Sequence, residues 1–380
     1  MTLQKALFPL LFLFALLVSQ ISPAYFAFGL LALLWVAAMW RGRAWAPALS
    51  SPPTALAGVF ALFIVLSTVF SRDPKVSLRH LAGISLLLLV PITMELADRP
   101  SRARALFLAL GTNAVFLSAI GFWQFAHGGA DLENRIMGTL SHWMTFSGLT
   151  MAAGCLLLGF LLEERGARRR LGLAAVLPLA AMVLTFTRSA YVGTLAAAAL
   201  YLAIRRPRGL LLLVPALLVV FFLLPAPIRT RVTSIASLDD RTNQDRIAMV
   251  HAGVRMIRES PLFGLGPEMV KRYYTLYRDP DAPQWEVPHL HDNALQIAAA
   301  SGLFAAAAYL ALMALFFTRT ISRLRRETRP DRAALLAGAL LAGTALFVAG
   351  FFEYNFGDTE VEMATLIVLA IPFSGAMRGG

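Results

Sequence analysis

Apolar runs long enough to cross a bilayer recur along nearly the whole chain, joined by short polar connections, and one long polar interval, Pro225 to Leu290, interrupts them. A hydrocarbon core about 30 Å thick needs roughly 20 apolar helical residues. On that scale the pattern predicts twelve spans, at about residues 6–19, 23–40, 54–71, 78–96, 105–126, 141–162, 171–186, 189–204, 209–225, 291–317, 332–353 and 360–376. The first run, Ala6 to Val18, has no small-residue cleavage site and is followed at once by another, so it reads as a retained span and not a signal peptide. The expectation is an all-α integral membrane protein: a bundle over 1–224, a polar loop over 225–290, and three closing spans over 291–380.

The polar interval has its own order. Thr242-Asn243-Gln244-Asp245 fits a capping box, and Ile247, Val250, Val254 and Ile257 repeat at helical spacing, predicting an amphipathic helix. It ends at Ser260-Pro261 and passes into Leu262-Phe263-Gly264-Leu265-Gly266-Pro267, a glycine-punctuated turn that lets backbone approach another group. The interval closes on Pro288-His289-Leu290-His291-Asp292-Asn293. There His291 opens an apolar helix pattern in which Leu295 and Gly302 share its face at about 100° per residue.

Composition agrees with the pattern: 58% of the 380 residues are hydrophobic and 15% charged. The lone Cys155 excludes intramolecular disulfides and cysteine-type zinc sites. A net charge of +12 raises nucleic acid as a partner, but its distribution excludes it. Alternate connections carry Lys5, Arg41/Arg43, Arg99/Arg102/Arg104, Arg165/Arg168/Arg169/Arg170, Arg205/Arg206/Arg208, Arg319 to Arg332 and Arg378, which are 20 basic residues against six acidic ones. The opposite set holds 14 basic and 16 acidic residues. By the positive-inside rule both termini are cytoplasmic and the long loop is external.

All six histidines (His80, His127, His142, His251, His289, His291) then fall on or near the external face, with Arg72, Lys75, Arg79 and Arg188 as basic exceptions to the rule. Arg188 follows Thr185-Phe186-Thr187 with almost no loop around it. A charge held between apolar segments points to a polar cavity or an anion, and guanidinium suits phosphate oxygens. Arg72, Lys75, Arg79 and His80 form a second basic cluster, while the loop supplies Arg246, Arg255, Arg258, Lys271 and Arg272 with the rings of Tyr273, Tyr274, Tyr277 and Trp285. Together they suit an anionic, sugar-bearing ligand better than an ion pathway. His291 is the candidate proton acceptor. His289 and His291, with or without Glu286, are too weak a pattern for a metal site, and none is expected. Glu353 to Asp358, followed by Glu360 and Glu362, forms an acidic edge that orients a base, balances the arginines or caps the last span.

The chain resembles the O-antigen ligase family, within the group that also includes O-antigen polymerases. Three pieces carry the likeness: Thr185-Phe186-Thr187-Arg188 beginning a span, the Pro261 to Pro267 run with Gly264 and Gly266, and the histidine motif. In the family that motif is His, then Asn, Ser or Gln, nine residues, Gly, two residues, then Gly, Thr or Tyr. Here it is His291-Asp292, nine residues, and Gly302-Leu303-Phe304-Ala305, departing at Asp292 and Ala305. The resemblance implies a GT-C-like, metal-independent, cofactor-free inverting glycosyltransferase of the bacterial inner membrane with a periplasmic active site. It would move O-antigen polysaccharide from undecaprenyl diphosphate to lipid A-core, with His291 as base and Arg188 stabilising the leaving diphosphate. Arg72, Lys75, Arg79, His80, Arg246, Arg255, Arg258 and His289 are the candidates for substrate contact, and the family's loop arginine falls to Arg255 or Arg258. O-antigen polymerase or protein oligosaccharyltransferase chemistry of the same superfamily is the alternative. A transporter is disfavoured, because the unusual charge sits at the external ends and no pair of broken helices is visible.

Overall fold

The computed structural model describes residues 2–42, 48–128, 134–223, 226–237 and 240–377, and among these it is helical with no strand. Eight helices among the described residues are long and apolar enough to cross a membrane. In chain order the elements needed below are α1 (Thr2–Leu16), α2 (Ile21–Gly42), α3 (Pro52–Val69), α4 (Pro74–Leu96), α5 (Pro100–Gly128), α6 (Trp143–Glu163), α7 (Arg188–Arg205), α8 (Arg241–Glu259), α9 (Met269–Tyr277), α10 (Asn293–Ser301), α11 (Leu303–Arg326), α12 (Pro330–Ala349) and α13 (Thr359–Ala370).

The centre of the bundle is the crossing of α6 with α12. Lipid gives two apolar helices little reason to associate, so close backbone approach must supply the attraction. Small residues allow it here: a Cβ at Gly159 would lie 2.5 Å from the Gly338 nitrogen, and one at Gly338 would lie 2.7 Å from the Leu156 carbonyl oxygen. Gly193 of α7 meets α12 in the same way, at the Ala345 carbonyl.

Four of the twelve expected spans take a different form. Residues 6–19 belong to α1, whose apolar stretch Ala6–Leu16 is shorter than a full span. Residues 171–186 break into Gly166–Leu171, a 3-10 turn Gly172–Ala175 and Val176–Val183. Residues 189–204 lie in α7, with an arginine at each end and an alanine-rich middle, and 209–225 give the 14-residue helix Leu210–Leu223 with Pro215 inside. A hydropathy run measures length, whereas continuity depends on contacts. At Gly172 the helix breaks where a side chain would collide with the Leu161 backbone.

The connections do sort into two ends. At one, Arg104 pairs with Glu164 at 2.7 Å, Arg205 pairs with Glu163 at 2.9 Å and reaches the Leu324 carbonyl, and Arg323 donates to the Met377 carbonyl. Arg43 and Arg378, assigned to that set, lie outside the described residues. At the other end Thr145 donates to Asp358, Asn293 receives from Phe356, and Arg188 reaches Asp240.

The polar interval packs onto this second end through a small core of its own, in which Met249, Met256, Met269, Tyr274 and Leu290 gather with Ala299 and Ala300 of α10. The predicted amphipathic helix is α8, with two corrections. Its N-cap is Asp240, whose carboxylate accepts from the Thr242 and Asn243 nitrogens, and not the Thr242 to Asp245 box. Its buried stripe is Ala248, Met249, Ala252, Gly253 and Met256, while Ile247, Val250 and Val254 are 45%, 45% and 36% exposed. Steric fit sets the approach: a Cβ at Gly253 would sit 2.8 Å from Leu295 and 2.9 Å from Leu290, so glycine at that position lets α8 come down onto α10.

A third correction concerns His291, which lies outside the helix it was expected to open. Asp292 is the N-cap, accepting from the Leu295 nitrogen at 2.7 Å, and α10 begins at Asn293. The shared face with Leu295 and Gly302 therefore does not form. Instead Gly302, at φ +87°, separates α10 from α11. A Cβ there would fall on the Leu262 carbonyl oxygen. The glycine turn lies along this break: Leu265 and Gly266 donate to the Ala299 and Ala300 carbonyls at 2.9 Å, and Leu303 donates to Pro261 at 2.8 Å. The two motifs that sequence reading treats separately are thus two sides of one contact.

Candidate active site

His291 is placed by its neighbours in sequence and held by a residue 62 positions away. Gln296 accepts from the Leu290 nitrogen, Asp292 caps α10, and Asn293 is latched to the turn after α12. Its backbone nitrogen donates to Gly350, its amide to Asn355 at 2.8 Å, and its amide oxygen accepts from Phe356. That latch brings up Glu353, whose side chain is 7% exposed and accepts from His291 Nδ1 at 2.8 Å. The backbone at His291 takes φ +51°, a conformation uncommon outside glycine and typical of sites where local strain is held by surrounding structure.

With Nδ1–H donated to a carboxylate, the tautomer is fixed and Nε2 carries the lone pair. Burial pushes the Glu353 carboxyl upward, yet the hydrogen bond from His291 and the favourable electrostatics of the two imidazoles and Arg246 outweigh it and hold the group below the usual carboxylate range. His289 presents Nε2 to the other carboxylate oxygen at 3.5 Å and is pushed down to about 4, chiefly by burial. Asp358 is pushed up to about 7 by burial and the nearby Glu353 charge. His289, His291 and Glu353 keep one ligand atom each within 4.8 Å of one another and are the group among the described residues that could hold a metal ion.

Four arginines share the neighbourhood. Arg188, 4% exposed, gives two donors to Ser234 and one each to Asp240 (3.1 Å) and Asn243 (2.9 Å), so its guanidinium ties α7 to the segment leading into α8. Arg231 gives Nε–H to the Phe186 carbonyl, and burial followed by the Arg188 charge pushes it down. Arg135 is pushed down to about 10 by burial, with Arg231 and Arg188 adding repulsion, and stacks 4.9 Å above the Trp143 ring. Arg246 is different. It has no hydrogen-bond or ion-pair partner among the described residues and its Nε is buried. Burial pushes it down, while Glu353 opposes and Arg188 and Arg231 reinforce that shift. Such a cluster of cations is costly alone and stabilised by an anion.

The remaining candidates divide. Arg79, His80 and His289 line a cavity of about 580 Å³ with Lys271, Tyr354 and Asp358, and none of the four arginines above lines it. Arg72 pairs with Glu259 and lies over Tyr273 and Tyr277. Lys75 lies in the first turn of α4. Arg255 pairs with Asp279 at 2.7 Å, and Arg258 is exposed. Nine helical positions separate Arg246 from Arg255, about 180° of rotation, so the latter points away from Glu353. Arg231, Arg135 and His142 were not singled out as site residues in the sequence, and only their surplus of charge near an apolar boundary could have flagged them.

Residues 173–310 match the family model described as O-antigen ligase. The matched stretch contains Arg188, Arg231, Arg246, His289 and His291 and stops before Glu353. No curated protein matches the chain.

Proposed function

We propose that the protein, whose residues 173–310 match the family model described as O-antigen ligase, is an O-antigen ligase, transferring polysaccharide from undecaprenyl diphosphate to lipid A-core on the periplasmic face of the bacterial inner membrane. The observation that carries this reading is His291 fixed by a buried carboxylate near Arg246, a guanidinium with no partner among the described residues. The first is a base with a free lone pair, and the second is a cation whose buried Nε has no acceptor among those residues.

In this mechanism His291 Nε2 takes the proton of an acceptor hydroxyl, whose oxygen bonds to the anomeric carbon as the bond from that carbon to the diphosphate oxygen breaks. Direct displacement inverts the anomeric centre. The bonding pair leaves with the diphosphate, where Arg246 and Arg231 offer donors. Arg188 contributes charge at longer range and positions the loop, since its own donors are engaged. The reading needs no metal or cofactor. The cavity of about 580 Å³ faces His289, and we assign it to the acceptor, with Arg79, His80 and Lys271 toward its anionic groups.

Complementation of a ligase-deficient strain tests this, with membrane levels followed for every variant. Wild type should attach polymer to lipid A-core. His291→Ala and Arg246→Ala should each lose about 10²-fold or more of that attachment, while Arg255→Ala, pointing away, should stay near wild type. Polymer left on undecaprenyl diphosphate by the wild-type protein would sink the ligase reading in favour of a polymerase.

A further inference from the structure

The stripe Ile247, Val250 and Val254 on α8 is apolar, exposed and not covered by any part of the described chain. Isolated exposed apolar residues need no explanation, but three on one helical face of a polar segment do. We infer that α8 is an interfacial helix whose stripe lies among the acyl chains of the bilayer leaflet on the active-site side.

Three observations carry this. Both ends of α8 are fixed to the helical bundle: Asp240 and Asn243 at its start bond Arg188, the first residue of α7. At its end Glu259 pairs with Arg72 just past α3, and Pro261 accepts from Leu303, the first residue of α11. A 19-residue helix is roughly 28 Å long, so α8 runs across the end of the bundle and does not stand out from it.

Second, the stripe has a direction. Ile257 of α8 packs where the loop's small core meets the bundle's core, against both. Val250, Val254 and Ile247 lie about 20°, 60° and 80° from Ile257 around the helix, whereas His251 and Arg255, which bond Asp279 on the polar side, lie about 120° and 160° away. The stripe thus lies on the flank of α8 that adjoins this contact with the bundle and away from the polar side.

Third, it continues a collar that faces lipid. Leu262, just beyond the helix, is 53% exposed, and Leu303 and Phe304 on α11 and Val69 and Phe70 beside α3 are 49%, 50%, 61% and 60% exposed. Arg258, exposed and without a partner among the described residues, lies within about 20° of Ile247. Its charge suits a phosphate headgroup at that depth.

The test places a single cysteine at Val250→Cys, Val254→Cys or Gln244→Cys in the full-length protein in lipid nanodiscs. Cys155 is buried and does not compete for label. Each site carries a small fluorophore, quenched either by doxyl groups on phospholipid acyl chains or by aqueous iodide. Labels at 250 and 254 should be quenched several-fold more by acyl doxyl than the label at 244, with iodide giving the reverse order. Equal iodide quenching at all three sites overturns the inference. So does protection from both quenchers at 250 and 254 that appears only with two copies per disc, because the stripe is then an interface between chains. Thermal unfolding of each labelled protein confirms that it is folded, and no step depends on the protein's activity.

Discussion

At the residue scale the pairing of His291 with Glu353 determines what the imidazole can do. Glu353→Gln keeps the shape but replaces the charged acceptor facing Nδ1–H with a neutral amide that can donate as well as accept, so the tautomer with the lone pair on Nε2 loses its advantage. Transfer in single-turnover assays should fall by about 10²–10⁴, the range associated with general-base assistance, with membrane abundance unchanged. A drop below threefold would mean that the carboxylate is structural. His289 gives a second test. Its imidazole is pushed down to about 4 by burial, against roughly 6.5 in an unfolded chain. Between those values the unfolded state binds the extra proton, so folding stability is lost as pH falls from about 6.5 to about 4 and not further below. Glu353 acts in the same direction, since a carboxylate held below its ordinary range loses its stabilisation as pH falls through the folded value. Unfolding of detergent-solubilised His289→Gln followed against pH should show a shallower acid loss than wild type. Of these residues His291 was legible from its motif, but Glu353 was not singled out from the acidic edge, because a hydrogen bond across 62 positions leaves no local pattern.

At the element scale the break between α10 and α11 controls the placement of the site. Gly302 combines a left-handed φ with contact against Leu262, and Gly264 at φ +66° lies against the Ala300 backbone. Gly302→Ala should cost about 1–3 kcal/mol from backbone conformation alone, plus displacement of the glycine turn. A thermal shift on purified protein should register it as a lower melting temperature, and an unchanged value would show the break to be tolerant. The sequence reading located this turn and the glycine of the motif without seeing that they touch. It also found α8 but took its apolar face from the helical spacing of Ile247, Val250, Val254 and Ile257. In a soluble protein Ile247, Val250 and Val254 would have been the buried set. Here glycine at 253 allows close approach to Leu290 and Leu295, Met249 and Met256 fill the buried face, and the β-branched residues take the outer one. The choice among Arg246, Arg255 and Arg258 depends on that same helical phase.

At the scale of the whole molecule, two sets of connections give the bundle two chemically different ends. The arginine-rich set predicts a cytoplasmic location, so alkaline phosphatase inserted after Pro280 should be active and a fluorescent protein fused at the C-terminus should fluoresce. Inactive phosphatase at that position would reverse the orientation. The membrane class and most of the long spans were readable from hydropathy, because burial in lipid and burial in protein both select apolar residues. The count of twelve was not, since a run such as 171–186 has the composition of a span and the geometry of a bent pair.

The distance in sequence between His291 and Glu353 also has a meaning in time. At about 5–20 residues per second, the ribosome finishes the residue that orients the base roughly 3–12 s after the base itself, and α13 follows later still. Until α12 has been inserted and its turn has latched onto Asn293, a nascent chain holds an arginine cluster and an imidazole with nothing to fix it. The order of synthesis therefore leaves the imidazole unoriented until the closing helices are in the membrane, and the site is assembled only then.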